Sequence, residues 1–190
     1  GRRNKMYTLL LVDDEEDVIE VIERKVSWEQ IGFHVVGHAG NGFKALEMME
    51  DMQPDVVMTD IRMPYMDGLE LCSNIRQRFP ATKLLLFTGF DDFEYAKEAV
   101  HLEIEEYILK PLNLAEITEV FKKLKTKLDD ELNEKKNTDI LKQYYAASLP
   151  VLQSNFYTTL IEGRIPENEL GRYMSDYKIS LEGPYYCCII

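Results

Sequence analysis

The chain has 190 residues, of which 45% are hydrophobic and 29% charged, with 34 acidic against 22 basic side chains and a formal net charge of −12. That is enough for one domain of ordinary size plus part of another, with a sizeable core. The charge balance disfavours non-specific nucleic-acid binding by this piece, because holding phosphate backbones needs clustered Lys and Arg.

The opening GRRNKM carries no apolar stretch of a signal peptide. Met6 directly precedes the first strand, so residues 1–5 are expected to include cloning remnants. Five short apolar runs then have the length and composition of buried parallel strands: YTLLLV (7–12), HVVGHA (34–39), DVVMT (55–59), KLLLFT (83–88) and EYILK (106–110). Near-continuous apolarity suits a sheet covered by helices on both faces. Helical spacing fills the gaps, with Val18, Ile22 and Val26 on one face of the first helix. Ala45, Met48, Met49 and Met52 follow in the second, Leu69, Cys72, Ile75 and Phe79 in the third, and Phe93, Ala96 and Val100 in the fourth. Gly40-Asn41-Gly42 and Phe79-Pro80 supply breaks between elements, and Asp91 or Asp92 can cap the fourth helix. Strict alternation of strand and helix predicts an α/β fold, a doubly wound parallel sheet with right-handed crossovers.

After Lys110-Pro111 the pattern changes. Leu114, Ile117, Phe121, Leu124 and Leu128 continue a fifth helix past what one sheet face needs. The spacing breaks in NEKKNTD (133–139), and Ile140, Leu141, Tyr144 and Tyr145 resume it. The stretch 127–148 therefore reads as a helical linker, either a short coiled coil that dimerises or a plain solvated connection. Residues 149–190 read as the incomplete start of a second domain: a helix closed by Gly163, another opened near Pro166, and a terminal apolar strand, PYYCCII. The first domain is expected over 1–126. Cys72, Cys187 and Cys188 make neither a disulfide framework nor a zinc spacing, so a reducing cytoplasm is expected. No run of about 18 apolar residues is present to span a membrane.

In an open α/β sheet, ligands bind at the carboxyl ends of the strands. Strand one ends in Asp13-Asp14, strand three in Asp60, strand four in Thr88 and strand five in Lys110. Singly, each has a plain reading as a turn, a cap or a solvated loop start. Together, complementary groups on four of five strand ends are hard to obtain by chance. Clustered carboxylates repel, two unit charges at roughly 4 Å costing about 4 kcal/mol at an effective dielectric near ~20. They stay ionised together only around a cation, and oxygen ligands without His or Cys suit Mg2+ (or Mn2+) better than zinc. The Lys110 ammonium and Thr88 hydroxyl would contact a transferring phosphoryl group, and a central carboxylate is a competent nucleophile.

LLLVDDEEDV, VVMTDIRMPYMDGLEL, LLLFTGFDDFEYAKEA and EEYILKP resemble the receiver domains of two-component response regulators, over roughly residues 6–125. The resemblance implies a flavodoxin-like sheet in the order 2-1-3-4-5. It implies Asp60 as phosphoacceptor, Asp14 as a direct metal ligand, Asp13 as a ligand through water, and Arg62 as a ligand through its backbone carbonyl. It also implies Thr88 and Tyr107 as switch residues, Lys110 as the lysine on the phosphoryl group, and Pro111 as the loop proline that often follows a cis peptide bond. Arg62 and Phe90 match positions flanking the reacting phosphate. WEQIGFHVVGHAGNG and TGFDDFEYAKEA further resemble receivers fused to AraC-type DNA-binding output domains. No such DNA-binding part is expected within these residues.

The implied partner is a sensor histidine kinase, and the implied device is a phosphorylation switch rather than an enzyme with turnover. Charge added at Asp60 would draw in Thr88, move Tyr107 inward and remodel the face of the fourth helix, fifth strand and fifth helix. A homodimer could form through that face or through the linker helix, with DNA bound only by the full-length protein. Tyr107 also reads simply as a half-buried aromatic at the sheet edge. Two other classes compete. A haloacid-dehalogenase-like phosphatase needs Asp-x-Asp where residues 13–15 give Asp-Asp-Glu, and its later paired Asp is missing. A constitutive dimerising scaffold would assemble without phosphate. His34, His38 and His101 have no nucleophile partner and read as surface or strand residues.

Overall fold

The computed structural model of the chain describes residues 5–89, 102–111 and 113–180. Five strands, β1 (Tyr7–Val12), β2 (Phe33–Ala39), β3 (Val56–Asp60), β4 (Lys83–Thr88) and β5 (Glu106–Leu109), form one sheet in the order β2-β1-β3-β4-β5. Every pairing is parallel. This is the flavodoxin-like arrangement that the resemblance implies, and the helices among the described residues are α1 (Glu16–Lys25), α2 (Trp28–Ile31), α3 (Gly42–Met52), α4 (Gly68–Arg78), α5 (Leu114–Ile161) and α6 (Glu167–Asp176). The fourth expected helix, with Phe93, Ala96, Val100, Asp91 and Asp92, lies outside the described residues. So do Phe90, His101, Cys187, Cys188 and the terminal run PYYCCII.

The two-residue period of the strands divides the core. Leu10, Val12, Val57, Leu84 and Leu86 face α3 and α4, packing with Ala45, Met49, Leu71, Cys72 and Ile75. Leu9, Leu11, Val56, Met58, Leu85 and Phe87 face the other way, against Ile19 and Ile22 of α1 and Ile117, Phe121 and Leu124 of α5. Both faces are thus apolar, which is why the runs do not alternate. Edge-to-face rings of Trp28 and Phe33 on Phe121, at 4.7 and 5.0 Å, close the second layer.

Helix ends carry their own signals. Asn41 caps α3 by accepting from Lys44 N–H at 2.9 Å, and Asp67 caps α4 by accepting from Glu70 N–H at 2.8 Å. Acidic Glu16 and Asp17 open α1, and Arg24 and Lys25 close it, as its dipole favours.

Several expectations need correction. β2 starts at Phe33, β3 runs to Asp60, and β5 stops at Leu109. The one-turn helix α2, ended by Gly32 at φ 89°, was not anticipated, being too short for periodicity to reveal. Met52, expected in the core, is 44% exposed because it occupies the last residue of α3. Phe79 caps α4 and is half-buried.

The expected extension of the helix after β5 is there: α5 runs through 133–139, where the apolar spacing lapses, and onward past Pro150 to Ile161. Lys and Glu in this stretch favour helix by propensity without an apolar face, and α5 continues through Pro150 although a proline removes one backbone hydrogen bond. Gly163, at φ 68°, and Pro166 stand where a helix closes and the next opens, as their types suggest. The chain divides into two compact units, 1–130 and 131–190, and the expected boundary at 148/149 falls inside α5. Within the second unit, Gln153 donates to the Tyr177 carbonyl at 2.9 Å, and Phe156 packs edge-on against Tyr177. Among the described residues no helix is long and apolar enough to cross a membrane.

Candidate phosphoryl and metal site

Parallel strands deliver their carboxyl ends to one rim, where the loops leaving β1 and β5 and the last residue of β3 carry the charged groups. Asp13 is 1% exposed and Asp60 6%, while Asp14 points into solvent. One carboxylate oxygen from each of the three lies within 4.8 Å of the others. Lys110 Nζ sits between them, 3.2 Å from Asp60 Oδ2 and 3.3 Å from Asp13 Oδ2. Each buried carboxylate uses its other oxygen to accept a backbone N–H at 2.8 Å: Asp13 from Glu15, and Asp60 from Ile61. Local geometry therefore fixes both side chains, and the ammonium joins them across the sheet.

The electrostatic balance remains unfavourable to charge. Burial holds the carboxyls of both Asp13 and Asp60 above the usual carboxylate range, and Lys110 only partly reverses the effect. Lys110 itself is lowered by burial but raised more by Asp60 and Asp13, so its ammonium is secure. Lys110 is thus shared among the carboxylates of Asp60 and Asp13, with Glu15 Oε1 at 3.5 Å, and Asp14 lies in the same cluster. The donor set is oxygen only, which matches a hard divalent cation such as magnesium.

Thr88 ends β4 fully buried, its hydroxyl donating to the Gly89 carbonyl at 3.3 Å. Its register places it one residue beyond the Asp60–Phe87 pair. Tyr107, opposite Leu86 on the edge strand, is half-buried against the α3–α4 layer, and burial pushes its phenol up. Arg62 and Pro111 are exposed in the loops after β3 and β5, and the Lys110–Pro111 peptide is cis.

Two further contributors were present in the sequence but not singled out. Gly68 begins α4 against the backbone of Asp60; a Cβ there would overlap the Asp60 carbonyl oxygen and stand 2.9 Å from Ile61 Cα. Its N–H also donates to the Ile61 carbonyl at 2.8 Å. Only glycine permits that approach, and the Asp67-Gly68 pair shortly after Asp60 was the available signal. Glu15, in the run Asp13-Asp14-Glu15, reaches Lys110 as a third anionic neighbour.

Comparison with known proteins fits this geometry. The response regulator receiver domain family matches residues 9–122. The uncharacterized transcriptional regulatory protein YesN of Bacillus subtilis is 37% identical over 137 residues, covering 72% of this chain and 37% of that protein. The transcriptional regulatory protein HptR of Staphylococcus aureus is 26% identical over 164 residues, covering 86% of this chain and 64% of its own length. The chain thus spans less than two thirds of these relatives. Among solved structures, the REC domain of AraT, a response regulator from Geobacillus stearothermophilus, superposes with a TM-score of 0.64 at 36% identity, over 67% of this chain and 98% of that one. A two-component transcriptional regulator AraC from Clostridium phytofermentans gives 0.58 at 32% identity, over 62% and 91%. The chain belongs to the response regulator receiver domain family of two-component systems.

Proposed function

We propose that the chain receives a phosphoryl group on Asp60 from the phosphohistidine of a sensor kinase and passes the change to an output domain. The observation that carries this reading is the Lys110 ammonium held between two buried carboxylates at the sheet rim. In the transfer, an Asp60 carboxylate oxygen bonds to phosphorus as the donor's P–N bond breaks. The electron pair returns to the imidazole nitrogen, which takes a proton from solvent. Lys110 offsets charge on the arriving phosphoryl oxygens, and the Thr88 hydroxyl gives a further donor once it turns from Gly89.

Asp13, Asp14, Asp60 and the Arg62 carbonyl would hold Mg2+ (or Mn2+). A bound divalent ion supplies the charge that lets these carboxylates stay ionised beside phosphate oxygens. Phosphorylation adds a charge of about −1.5 to −2. Thr88 and Tyr107 then form the switch, at the strand pair leading through Pro111 into α5. The phosphoryl group is stored rather than turned over, so the chain acts as a self-assisting acceptor and not a conventional enzyme.

The organisation proposed is a receiver over 1–126, a helical linker over 127–148, and the start of another domain over 149–190. The kinship with YesN and the AraT and AraC regulators supports an AraC-type DNA-binding output in the full-length protein, which works in the cytoplasm. This acidic piece itself would bind no DNA. Exposed Ile140, Leu141, Tyr144 and Val151 on α5 support a homodimer through the linker.

Incubation with phosphoramidate and magnesium tests the reading. One stoichiometric label on Asp60, absent from Asp60→Asn, is expected. Continuing hydrolysis of phosphate esters would instead indicate a phosphatase, and assembly indifferent to phosphodonor a constitutive scaffold.

A further inference from the structure

Tyr65 lies in the loop between β3 and α4, is 86% exposed, and has φ 72°. That left-handed conformation is uncommon for a residue with a bulky side chain, and Gly or Asn would satisfy the same turn more easily. The ring contributes almost nothing to the core at that exposure. Backbone strain at an exposed aromatic, beside a reacting centre, calls for a role outside the fold.

A second exposed aromatic lies on the element that this loop packs against. Phe43, 55% exposed, occupies the first turn of α3. The preceding Gly42 is so close to the Tyr65 loop that an added Cβ would lie 2.7 Å from Met66 Cγ and Sδ. Phe43 and Tyr65 are thus the chain neighbours of the two residues that meet where the start of α3 packs on this loop. Both loops border the acidic pocket, since a Cβ on Gly40 would sit 4.0 Å from the Asp13 carbonyl oxygen, and Gly68 abuts Asp60.

We propose that Phe43 and Tyr65 form an aromatic docking ridge for the protein that delivers the phosphoryl group, and that they help set which donor is accepted. The inference rests on the phosphoacceptor reading above. Asp60 is almost fully buried, so a phosphohistidine reaches it only if the surface around that histidine covers the rim. The ridge is continuous with that rim and presents the residue types that dominate binding energy at interfaces. Exposed Asp14, Glu15 and Glu16 beside it favour a basic partner surface. The fitting occupant is a helical face carrying the phosphohistidine, an apolar side chain beside it, and basic residues around both. Phosphoramidate needs none of this contact.

The experiment compares two donors on the whole chain: phosphoramidate, and a purified autophosphorylated histidine kinase chosen because it labels the unaltered protein. Phe43→Ala, Tyr65→Ala, Tyr65→Gly and the double alanine variant are measured with each. Phosphoramidate labelling should stay within about twofold of the unaltered chain, while kcat/KM for transfer from the kinase falls about tenfold or more in the double variant. Tyr65→Gly should melt at or above the unaltered temperature yet still lose transfer, separating docking from folding. Undiminished transfer from the kinase, or an equal loss with both donors, would overturn the ridge. Failure of phosphoramidate to label the unaltered chain, or a label that survives Asp60→Asn, would instead remove the phosphoacceptor reading beneath it.

Discussion

At the scale of single residues, the site is a compromise between burial and charge. Burial raises the carboxyls of Asp13 and Asp60 above their ordinary range, with the Lys110 ammonium as the nearest compensation. Neutralising one carboxylate should therefore help the metal-free fold. Asp60→Asn is expected to raise its stability by on the order of 1 kcal/mol, read as a higher melting temperature without magnesium. Lys110→Ala should act oppositely, leaving two buried carboxylates without their cation, at a cost of about 1–3 kcal/mol after allowing for its partial exposure. Denaturant unfolding of both variants checks the pair; stabilisation by Lys110→Ala would contradict the balance described.

At the scale of elements, ion pairs around Glu105, just before β5, tie the start of β4 to α5. Glu105 pairs with Lys83 at 3.4 Å and with Lys127 at 2.5 Å. Burial alone would raise the Glu105 carboxyl, but hydrogen bonding to Lys127 and the charge of Lys83 outweigh it and hold it below the usual range. A lowered folded value means the unfolded chain binds the proton more readily. The stabilisation is therefore complete above the ordinary value of 4.5 and fades as pH falls below it. Melting curves from neutral pH into this acid range should show a shallower loss for Glu105→Gln than for the unaltered chain. Equal slopes would show that the network contributes nothing.

The strands were legible because burial on both faces leaves a continuous apolar run, and the site because its charges terminate those runs. Helix α5 was legible in its packed half, to Leu128, and again from the spacing that resumes at Ile140, but not as one element running to Ile161. Through 133–139 it has no apolar stripe, and spacing carries no information there. Gly68 escaped notice for a related reason: its role depends on a backbone approach to Asp60 that only the fold creates.

At the scale of the whole molecule, the two units differ in how they satisfy their apolar residues. The first has layers on both sheet faces, whereas the second leaves Leu141 at 68% exposure, Tyr144 at 70% and Val151 at 62%. Helical spacing puts these three on one stripe, the arrangement of a short coiled-coil seam. Sedimentation should show self-association in the micromolar range that Leu141→Glu with Tyr144→Glu abolishes; a chain that stays monomeric at high concentration would contradict the linker dimer.

The central claim is that the rim of the sheet is built to hold a divalent ion beside a phosphoryl group on Asp60. Thermal melting with magnesium, and with magnesium plus beryllofluoride, tests it most directly. A rise with magnesium, a further rise with beryllofluoride that requires the metal, and loss of that second rise in Asp60→Asn are predicted. Melting temperatures unchanged by either addition, or a beryllofluoride response that survives Asp60→Asn, would contradict the account.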